Sequence, residues 1–288
     1  MKREVSILIP IYNEERSISG TINTIVELMN KTNIEFEIIA INDGSKDNSL
    51  EVLQLIPNIS IISHKVNKGY GASLKTGLRH AAFDNICITD ADGTYPNDRI
   101  PDMFELMYDD KLDMIVGSRN GTNVSYPLIK KIPKYFIQKF SNYISNTKIP
   151  DINSGLRIFN KGIALKFFHL YPNGFSFTTT ITMSMICADY EVEYTPIDYF
   201  KREGKSKIKP FKDTIGFFKL LLRIALYFNP FKFFTPIIIL FLLASLGVLY
   251  RDIYILKNLT QTGLFFPVFT FLFFTLGLLA DMIIKRTS

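Results

Sequence analysis

The chain has 288 residues, 47% of them hydrophobic, and carries a formal net charge of +6. That length suits one large domain or two small ones, and so high an apolar content is unusual for a purely soluble protein. The chain has only two cysteines, Cys87 and Cys187, which excludes a disulfide-rich scaffold. We expect both to be reduced and structural.

Short apolar runs alternate with amphipathic stretches in the N-terminal part of the chain. Apolar residues recur at helical spacing from Ile18 to Met29, which predicts a helix. The apolar runs are predicted as strands over residues 5–12, 36–43, 59–67, 85–92 and 113–119. This βαβ pattern predicts an α/β fold with a mostly parallel, twisted sheet that is covered on both faces.

Polar clusters follow the first four predicted strands. They are Asn13 with Glu14, residues 42–45, residues 67–69, and Asp90 with Asp92. Ligands of open parallel sheets bind at the carboxyl ends of the strands. The sequence therefore predicts a binding site formed by these four clusters.

Two aspartates end the fourth predicted strand. If the extended conformation persists, Asp90 and Asp92 project to the same side, where two carboxylates repel each other. A divalent cation or a hydroxylated ligand between them would relieve this repulsion, and Mg²⁺ typically takes one or two carboxylates together with phosphate oxygens. The alternative is a solvated turn, because Asp, Gly and Pro are ordinary turn residues.

Two apolar runs lie near the C-terminal end, at residues 233–250 and 264–284. Each approaches the roughly 20 residues that a helix needs to span a bilayer. We interpret them as a transmembrane hairpin, with buried core helices as the alternative. Residues 211–228 precede the hairpin and have apolar residues at helical spacing beside cations, which predicts an amphipathic helix in the membrane interface or packed on the preceding domain.

The distribution of Lys and Arg predicts the orientation of this hairpin. Residues 201–232 contain nine of them, and Lys285 and Arg286 follow the second run, whereas residues 251–263 contain two. By the positive-inside rule, both termini and the N-terminal domain lie on the cytosolic side. We expect no cleaved signal peptide at the start of the chain.

The motifs, in their order and spacing, resemble glycosyltransferase family 2 with a GT-A fold. Within it they are most similar to the enzymes that make dolichyl-phosphate mannose and to the bacterial polyprenyl-phosphate glycosyltransferases. The resemblance rests on ILIPIYNEE (7–15), INDGSKDNS (41–49), NKGYGASLKTG (67–77), DADGTYP (90–96), VGSR (116–119), DINSGLRIF (151–159), KREGKSKIK (201–209) and the C-terminal pair of spans.

The resemblance implies a nucleotide-sugar donor site. In it Asp43 meets the base, Asp90 binds the nucleotide, and Asp92, with Asp90 beside it, ligates Mg²⁺ or Mn²⁺. The other implied donor-site residues are Pro10, Tyr12 and Glu14, which line the nucleotide pocket, and Lys68 and Gly69, which lie near the base and ribose. Structural roles remain open for some of them, such as a turn for Asp43 and a solvated cation for Lys68.

The resemblance also implies residues around the reacting groups. Arg119 would approach a phosphate, and Asp151 would lie near the sugar, with a helix or turn cap as its structural alternative. Arg202 and Lys207 would contact the donor diphosphate or the acceptor phosphate. Many relatives carry Gln where this chain has Thr94, so that a threonine hydroxyl or a water would complete the metal shell.

The predicted layout has three parts: a catalytic domain at 1–210, an interfacial helix region at 211–229 and a transmembrane hairpin at 230–288. The predicted activity is metal-dependent, inverting transfer of a hexose from GDP-mannose or UDP-glucose to polyprenyl or dolichyl phosphate. An ionised acceptor phosphate needs positioning more than a general base. The lipid bilayer is a further expected partner, a homo-oligomer is compatible with the sequence, and no nucleic-acid partner is expected.

Two other functions stay open. One is a membrane-tethered transferase for another lipid-linked or glycolipid acceptor, and the other is a catalytically silent membrane scaffold or nucleotide-sugar binding subunit. A processive polysaccharide synthase is disfavoured because the chain has no Trp for a QxxRW motif. A Rossmann dehydrogenase is disfavoured because PIYNEE, and no GxGxxG, follows the first predicted strand.

Overall fold

The computed structural model describes residues 2–120, 131–174, 176–200 and 210–287, with the backbone alone for 131–137, 210–218 and 285–287. In this part of the chain seven strands form one sheet. The strands are Glu4–Ile11 (β1), Glu35–Asn42 (β2), Ser60–Ser63 (β3), Asn85–Ile88 (β4), Met114–Ser118 (β5), Arg157–Asn160 (β6) and Val192–Pro196 (β7). Helices cover both faces of the sheet and continue to the C-terminal end. The α-helices are Ile18–Met29 (α1), Ser49–Gln54 (α2), Tyr70–His80 (α3), Ile100–Asp109 (α4), Lys131–Ser145 (α5), Lys161–Lys166 (α6), Phe177–Cys187 (α7), Pro210–Phe228 (α8), Pro230–Tyr250 (α9) and Gln261–Thr287 (α10).

The strand order is β3-β2-β1-β4-β6-β5-β7. β6 runs antiparallel to both of its neighbours, and the other paired strands are parallel. The sheet is therefore mostly parallel, as the sequence predicts. The carboxyl ends of β1, β2, β4 and β5 lie at one edge together with the amino end of β6.

The fourth strand is shorter than predicted. β4 ends at Ile88, and residues 91–93 form a turn in which Gly93 has φ of +70°. Asp90 and Asp92 therefore do not belong to a continuous strand, and the expected alternation of an extended chain does not set their directions. The turn sets them instead.

The core lies on both faces of the sheet. Ile7 and Ile9 of β1 pack in one cluster with Ile22 of α1 and Phe104 of α4, while Leu8 packs in a second cluster on the other face, with α3 and α7. All of these side chains are fully or almost fully buried. Burial on both faces explains why the sequence of β1 is almost continuously apolar.

Helix α8 packs on the domain that precedes it. Leu221, Ile224 and Ala225 are buried in a third cluster with Ile144 of α5 and Met183 of α7. On the other side of α8, Leu226 and Tyr227 are exposed. One face of the predicted amphipathic helix is thus part of the domain, and a membrane-facing role is left to its exposed side.

Helices α9 and α10 form a hairpin. A π-helical turn at Arg251–Leu256 extends the first helix, so that Pro230–Leu256 and Gln261–Ile284 are both long and apolar enough to cross a membrane. Only 6% and 11% of their most apolar windows are buried inside the protein, which argues against core helices. Between them Phe241 packs on three rings of α10, which are Phe266, Phe269 and Phe273.

Candidate active site at the carboxyl edge of the sheet

A pocket of about 300 Å³ opens at the carboxyl ends of β1, β2 and β4. Its lining includes seven of the residues predicted from the sequence to bind the donor or metal, which are Pro10, Tyr12, Glu14, Asp43, Gly69, Asp90 and Asp92. The remaining lining residues are Ile11, Asn67, Tyr70, Ser73 and Ala91. The structure therefore brings together residues from all four polar clusters, as the βαβ pattern predicts.

The loops that follow β1 and β2 are bonded to each other. The backbone N–H of Asn13 donates to Oγ of Ser45 at 3.0 Å, and Oδ1 of Asn13 accepts from the backbone of Lys46 at 2.8 Å. The N–H of Glu14 donates to Oγ of Ser49 at 2.9 Å. These bonds fix the two loops at the mouth of the pocket.

Asp43 is buried and holds the loop that follows β3. Its carboxylate accepts hydrogen bonds from the N–H groups of Lys68 at 2.9 Å and Gly69 at 2.8 Å, and its Oδ1 lies 2.7 Å from Nδ1 of His64. A carboxylate has about four acceptor positions, so these three bonds leave capacity for a donor from a nucleotide base. Lys68 is not among the pocket-lining residues, and its contact with Asp43 is made by its backbone.

The two glycines of the NKGYG motif allow a close backbone approach. A Cβ atom at Gly69 would lie 2.5 Å from the carbonyl oxygen of Asn173, and one at Gly71 would lie 2.2 Å from that of Pro172. The N–H of Ala72, in the first turn of α3, donates to the same Asn173 carbonyl at 3.0 Å. The glycines therefore seat residues 172–174 on this helix end, a role that the sequence did not reveal.

Asp90 and Asp92 each accept a hydroxyl hydrogen bond. Tyr70 donates to Oδ1 of Asp90 at 3.0 Å, and Thr94 donates to Oδ1 of Asp92 at 2.6 Å through its hydroxyl and at 3.2 Å through its N–H. Thr94 is fully buried. Its bonds orient Asp92, so the threonine would act on a metal at this position through the aspartate, and direct ligation by Thr94 stays a prediction.

The acidic pair suits a hard divalent cation. In the described part of the chain, no group of three or more His, Cys, Asp and Glu side chains could hold a metal ion. The protein ligands would then be the carboxylates of Asp90 and Asp92, with phosphate oxygens and water completing the shell. Such a set of oxygen ligands fits Mg²⁺ or Mn²⁺, which commonly share their coordination with substrate phosphates.

Arg119 and the buried Asp151 form an ion pair beside this edge. Nε and Nη2 of Arg119 donate to the Asp151 carboxylate at 2.7 and 3.0 Å, and the Arg119 N–H donates to it at 3.2 Å. The guanidinium also lies 5.2 Å from the ring centroid of Tyr199. Neither residue of the pair lines the pocket. The predicted substrate contacts of Arg119 and Asp151 are not tested by this arrangement, and Arg202 and Lys207 lie outside the described residues.

Two residues of the site were missed at the level of sequence. Tyr70 lines the pocket, and its pKa is raised well above the ordinary value by burial and by the charge of Asp90. It therefore stays protonated and donates to that carboxylate. His64 contacts Asp43 from the residue after β3. No spacing rule pairs either residue with its partner, because both contacts depend on how the sheet assembles.

The chain matches a family model described as Glycosyl transferase family 2 over residues 6–168. This match runs from the third residue of β1 past the end of β6 and includes all the pocket-lining residues.

Three relatives illustrate the similarity. The low-salt glycan biosynthesis hexosyltransferase Agl6 of Haloferax volcanii is 26% identical over 213 residues, which are 73% of this chain and 51% of the relative. The prophage bactoprenol glucosyl transferase homolog of Escherichia coli K12 is 30% identical over 164 residues, 56% of this chain and 53% of the relative. The UDP-N-acetylglucosamine–dolichyl-phosphate N-acetylglucosaminyltransferase of Methanococcus voltae is 30% identical over 185 residues, 56% and 71% of the two chains. The chain thus spans about half the length of the first two relatives.

Crystal structures of glucosyl-3-phosphoglycerate synthase from Mycobacterium tuberculosis have a similar fold. The complex with uridine diphosphate superposes with a TM-score of 0.59 at 14% identity, over 77% of this chain and 80% of that one. This similarity confirms the predicted GT-A type of α/β fold. Since the family model also covers more than half of the sequence, the chain belongs to glycosyltransferase family 2.

Proposed function

We propose that the chain is a membrane-bound, inverting glycosyltransferase that moves a hexose from a nucleoside diphosphate sugar to polyprenyl or dolichyl phosphate. The observation that carries the proposal is that Asp43 and the Asp90–Asp92 turn line the same pocket. A hydrogen-bond donor of the nucleotide base can bond to the Asp43 carboxylate. The diphosphate with its cation can bind at the Asp90–Asp92 turn. The catalytic domain lies on the cytosolic side in this proposal.

The donor side follows from the chemistry of these carboxylates. A divalent ion held by Asp92 and Asp90 would neutralise charge on the departing diphosphate. Thr94 fixes the direction of the Asp92 carboxylate, and Tyr70 fixes that of Asp90. Asp43 is already held by its three protein donors, so it presents its remaining lone pairs to the base without reorganising.

The acceptor side requires positioning rather than proton removal. A phosphate monoester is largely ionised at neutral pH, so an oxygen of polyprenyl phosphate can attack the anomeric carbon directly. Attack from the face opposite the diphosphate inverts that carbon. Arg202 and Lys207 would hold the acceptor phosphate, Arg119 would approach a phosphate, and Asp151 would lie near the sugar.

Two features support a lipid phosphate as acceptor. The names of two relatives include bactoprenol or dolichyl phosphate. The hairpin of α9 and α10, which follows α8 directly, has the length and composition to lie in a bilayer. Together they favour an acceptor whose phosphate lies at headgroup depth.

The test is a donor screen with the full chain in detergent or liposomes. GDP-mannose, UDP-glucose and UDP-N-acetylglucosamine are each supplied with polyprenyl phosphate and either Mg²⁺ or Mn²⁺, and the lipid product is identified by mass spectrometry. We expect one donor to give a hexosyl-phosphate lipid with inverted anomeric configuration. Failure with every donor would contradict the proposal, as would transfer only to a neutral glycolipid or a lipid-linked sugar.

A second experiment examines the acceptor contacts. The double variant Arg202→Ala with Lys207→Ala loses a bidentate donor and a point charge, so the KM for polyprenyl phosphate should rise while nucleotide binding is retained. Salt is held constant because exposed charges are screened. Lys31→Ala with Lys111→Ala, two changes at exposed residues after α1 and α4, serves as the charge-matched control. Unchanged acceptor kinetics in the double variant would restrict this segment to a role in membrane orientation.

A further inference from the structure

Arg157, the first residue of β6, carries a positive charge inside the domain. It is fully buried, and within the described residues no carboxylate lies within ion-pair distance of 4.0 Å. Its Nη1 donates to the carbonyl oxygen of Thr178 at 3.0 Å and to Oγ1 of Thr182 at 2.8 Å, and its Nη2 donates to the carbonyl oxygen of Ser154. Its Nε has no hydrogen-bond partner among the described residues.

This arrangement is costly for a purely structural residue. Arginine stays protonated in proteins, and a buried charge without an ion-pair partner loses much of its hydration energy. An apolar side chain of similar size could fill the same space between β6 and α7. The three hydrogen bonds need donors but not a full charge, so the cost points to a separate role for the charge itself.

The position of Arg157 points to the acidic pair. In the sheet register Arg157 lies opposite Ile88, two residues before Asp90. The hydroxyl of Tyr70 donates to Oδ1 of Asp90 at 3.0 Å, so this carboxylate is held between α3 and the end of β4.

The backbone next to Arg157 reaches the same carboxylate. A Cβ at Gly155 would lie 3.2 Å from Oδ2 of Asp90, and the N–H of Gly155 donates to the hydroxyl of Tyr95 at 2.6 Å. Nη2 of Arg157 fixes the carbonyl of the preceding residue, Ser154. Asp90 thus accepts from Tyr70 and lies against the backbone of Gly155, which follows the residue whose carbonyl accepts from Arg157.

We propose that Arg157 is a positioning residue whose fixed charge lies behind the acidic pair and favours the anionic donor over a free cation. It does not touch substrate. Its charge lowers the repulsion between Asp90 and Asp92 before the donor arrives, and it attracts the diphosphate. This inference rests on the proposed function, since it assumes a nucleotide and a divalent cation in the pocket.

The proposal predicts two changes of opposite sign. Without the charge of Arg157, the acidic pair should bind a free divalent cation more tightly, because a like charge has been removed. The same change should weaken binding of the negatively charged nucleotide. Each effect should be about three- to tenfold, the size expected for one unit charge at several ångströms with protein screening. If Arg157 only supported the packing of β6 against α7, its removal would weaken the binding of both the cation and the nucleotide.

The experiment measures binding of Mn²⁺ alone by electron paramagnetic resonance, and of UDP and GDP at saturating Mn²⁺ by calorimetry, with the full chain in detergent. The variants are Arg157→Met and Arg157→Gln, which are neutral, and Arg157→Lys, which keeps the charge. Phe159→Leu is the matched control, because Phe159 is also fully buried and projects from the same face of β6, two residues further on. Its loss of core volume should lower thermal stability, but it should not change the affinities for Mn²⁺ and for the nucleotide in opposite directions.

We expect tighter Mn²⁺ and weaker nucleotide binding in both neutral variants, and near-normal values for both ligands in Arg157→Lys. Parallel weakening of both ligands, or no change in either, would overturn the proposal. If the neutral variants do not fold, Arg157→Lys decides it, since equal weakening of Mn²⁺ and nucleotide there would show that the hydrogen bonds matter and the charge does not. If the unaltered chain binds neither Mn²⁺ nor nucleotide, the proposed function fails, and this inference fails with it for a separately visible reason.

Discussion

Nδ1 of His64 lies 2.7 Å from Oδ1 of Asp43, and Nε2 of the same ring lies 3.0 Å from Oγ1 of Thr76. The side chains of His64 and Asp43 are only 6% and 4% exposed. The ring therefore links the carboxylate in the pocket wall to helix α3 with little competition from water. We therefore expect His64 to act only by fixing the direction of the Asp43 carboxylate.

Replacing His64 should impair donor binding more than turnover. His64→Ala removes a hydrogen bond to a charged group, worth about 1.5 kcal/mol or more, so the donor KM should rise about tenfold with a smaller change in kcat. Initial rates at varied donor concentration measure both constants. His80→Ala is the control, because His80 is exposed at the end of α3. A fall in kcat at constant donor KM would disagree with this role.

Asp92→Asn should nearly abolish transfer while the fold is retained, since it removes a charge that would hold the metal at the leaving diphosphate. The expected loss in kcat is about a hundredfold or more. Thr94→Val removes only the hydroxyl bond to Asp92, so a loss of about three- to tenfold is expected. The kcat of Asp92→Asn and of Thr94→Val is measured at saturating Mn²⁺ and compared. Equal losses in the two variants would instead make Thr94 a metal ligand in its own right.

A methyl group at Gly71 should disturb the packing of residues 172–174 on α3. Gly71→Ala would place Cβ 2.2 Å from the carbonyl oxygen of Pro172, and overpacking of this kind costs about 1–3 kcal/mol. Gly20→Ala is the matched change, because no atom lies within 4 Å of a Cβ there and alanine favours helix α1 by up to about 1 kcal/mol. The melting temperature in detergent should therefore fall in Gly71→Ala and rise in Gly20→Ala. A harmless Gly71→Ala would contradict the proposed packing role.

The hydroxyl of Tyr194 is buried and has no hydrogen-bond partner among the described residues. Burial raises the pKa of Tyr194, against the opposing charge of Arg157. A raised folded pKa means that its contribution to stability is complete below the unfolded value near pH 10 and is lost as the pH rises further. Tyr194→Phe should therefore raise the melting temperature slightly at pH 7 and flatten its decline above pH 10. A lower melting temperature at pH 7 would indicate that the hydroxyl is satisfied.

The turn between α9 and α10 should face away from the cytosol. Lys257→Cys should react with a membrane-impermeant maleimide in intact cells, and Ser288→Cys only after permeabilisation. The native cysteines should stay unlabelled, because burial raises the pKa of Cys187 to about 12 and raises that of Cys87 as well. The unaltered chain gives the background. Labelling of both introduced cysteines from the same side would exclude the hairpin topology.

The sequence predicts those parts of the fold in which local pattern and tertiary environment agree. β1 is an almost continuous apolar run and α1 has strong helical periodicity, and the structure places both close to the predicted bounds. β6 and β7 were missed because each is short, and because Arg157 breaks the apolar pattern at a buried position. β4 was predicted too long, since the turn at Gly93 follows directly on an apolar run.

For the site, sequence reasoning identified most of the pocket lining but not how its residues are held. Asp43 and Asp90 could be named from motifs. Their partners His64 and Tyr70 lie 21 and 20 residues away, on elements whose contacts depend on the assembled sheet. Local pattern alone contains no information about such pairs.

The ion pair of Arg119 and Asp151 joins two points that are 32 residues apart in the chain. Because β6 runs antiparallel to β5, the chain leaves the pocket edge of the sheet at Arg119 and returns to the same edge at Asp151. The ion pair therefore joins the two ends of the intervening segment. Changes in length or sequence between these two joints need not shift the register of β5 and β6. Within the described part of this segment, Ile144 of α5 packs on α7 and α8, so exchanging α5 between family members would change the seat of the C-terminal helices while the Arg119–Asp151 pair stays in place.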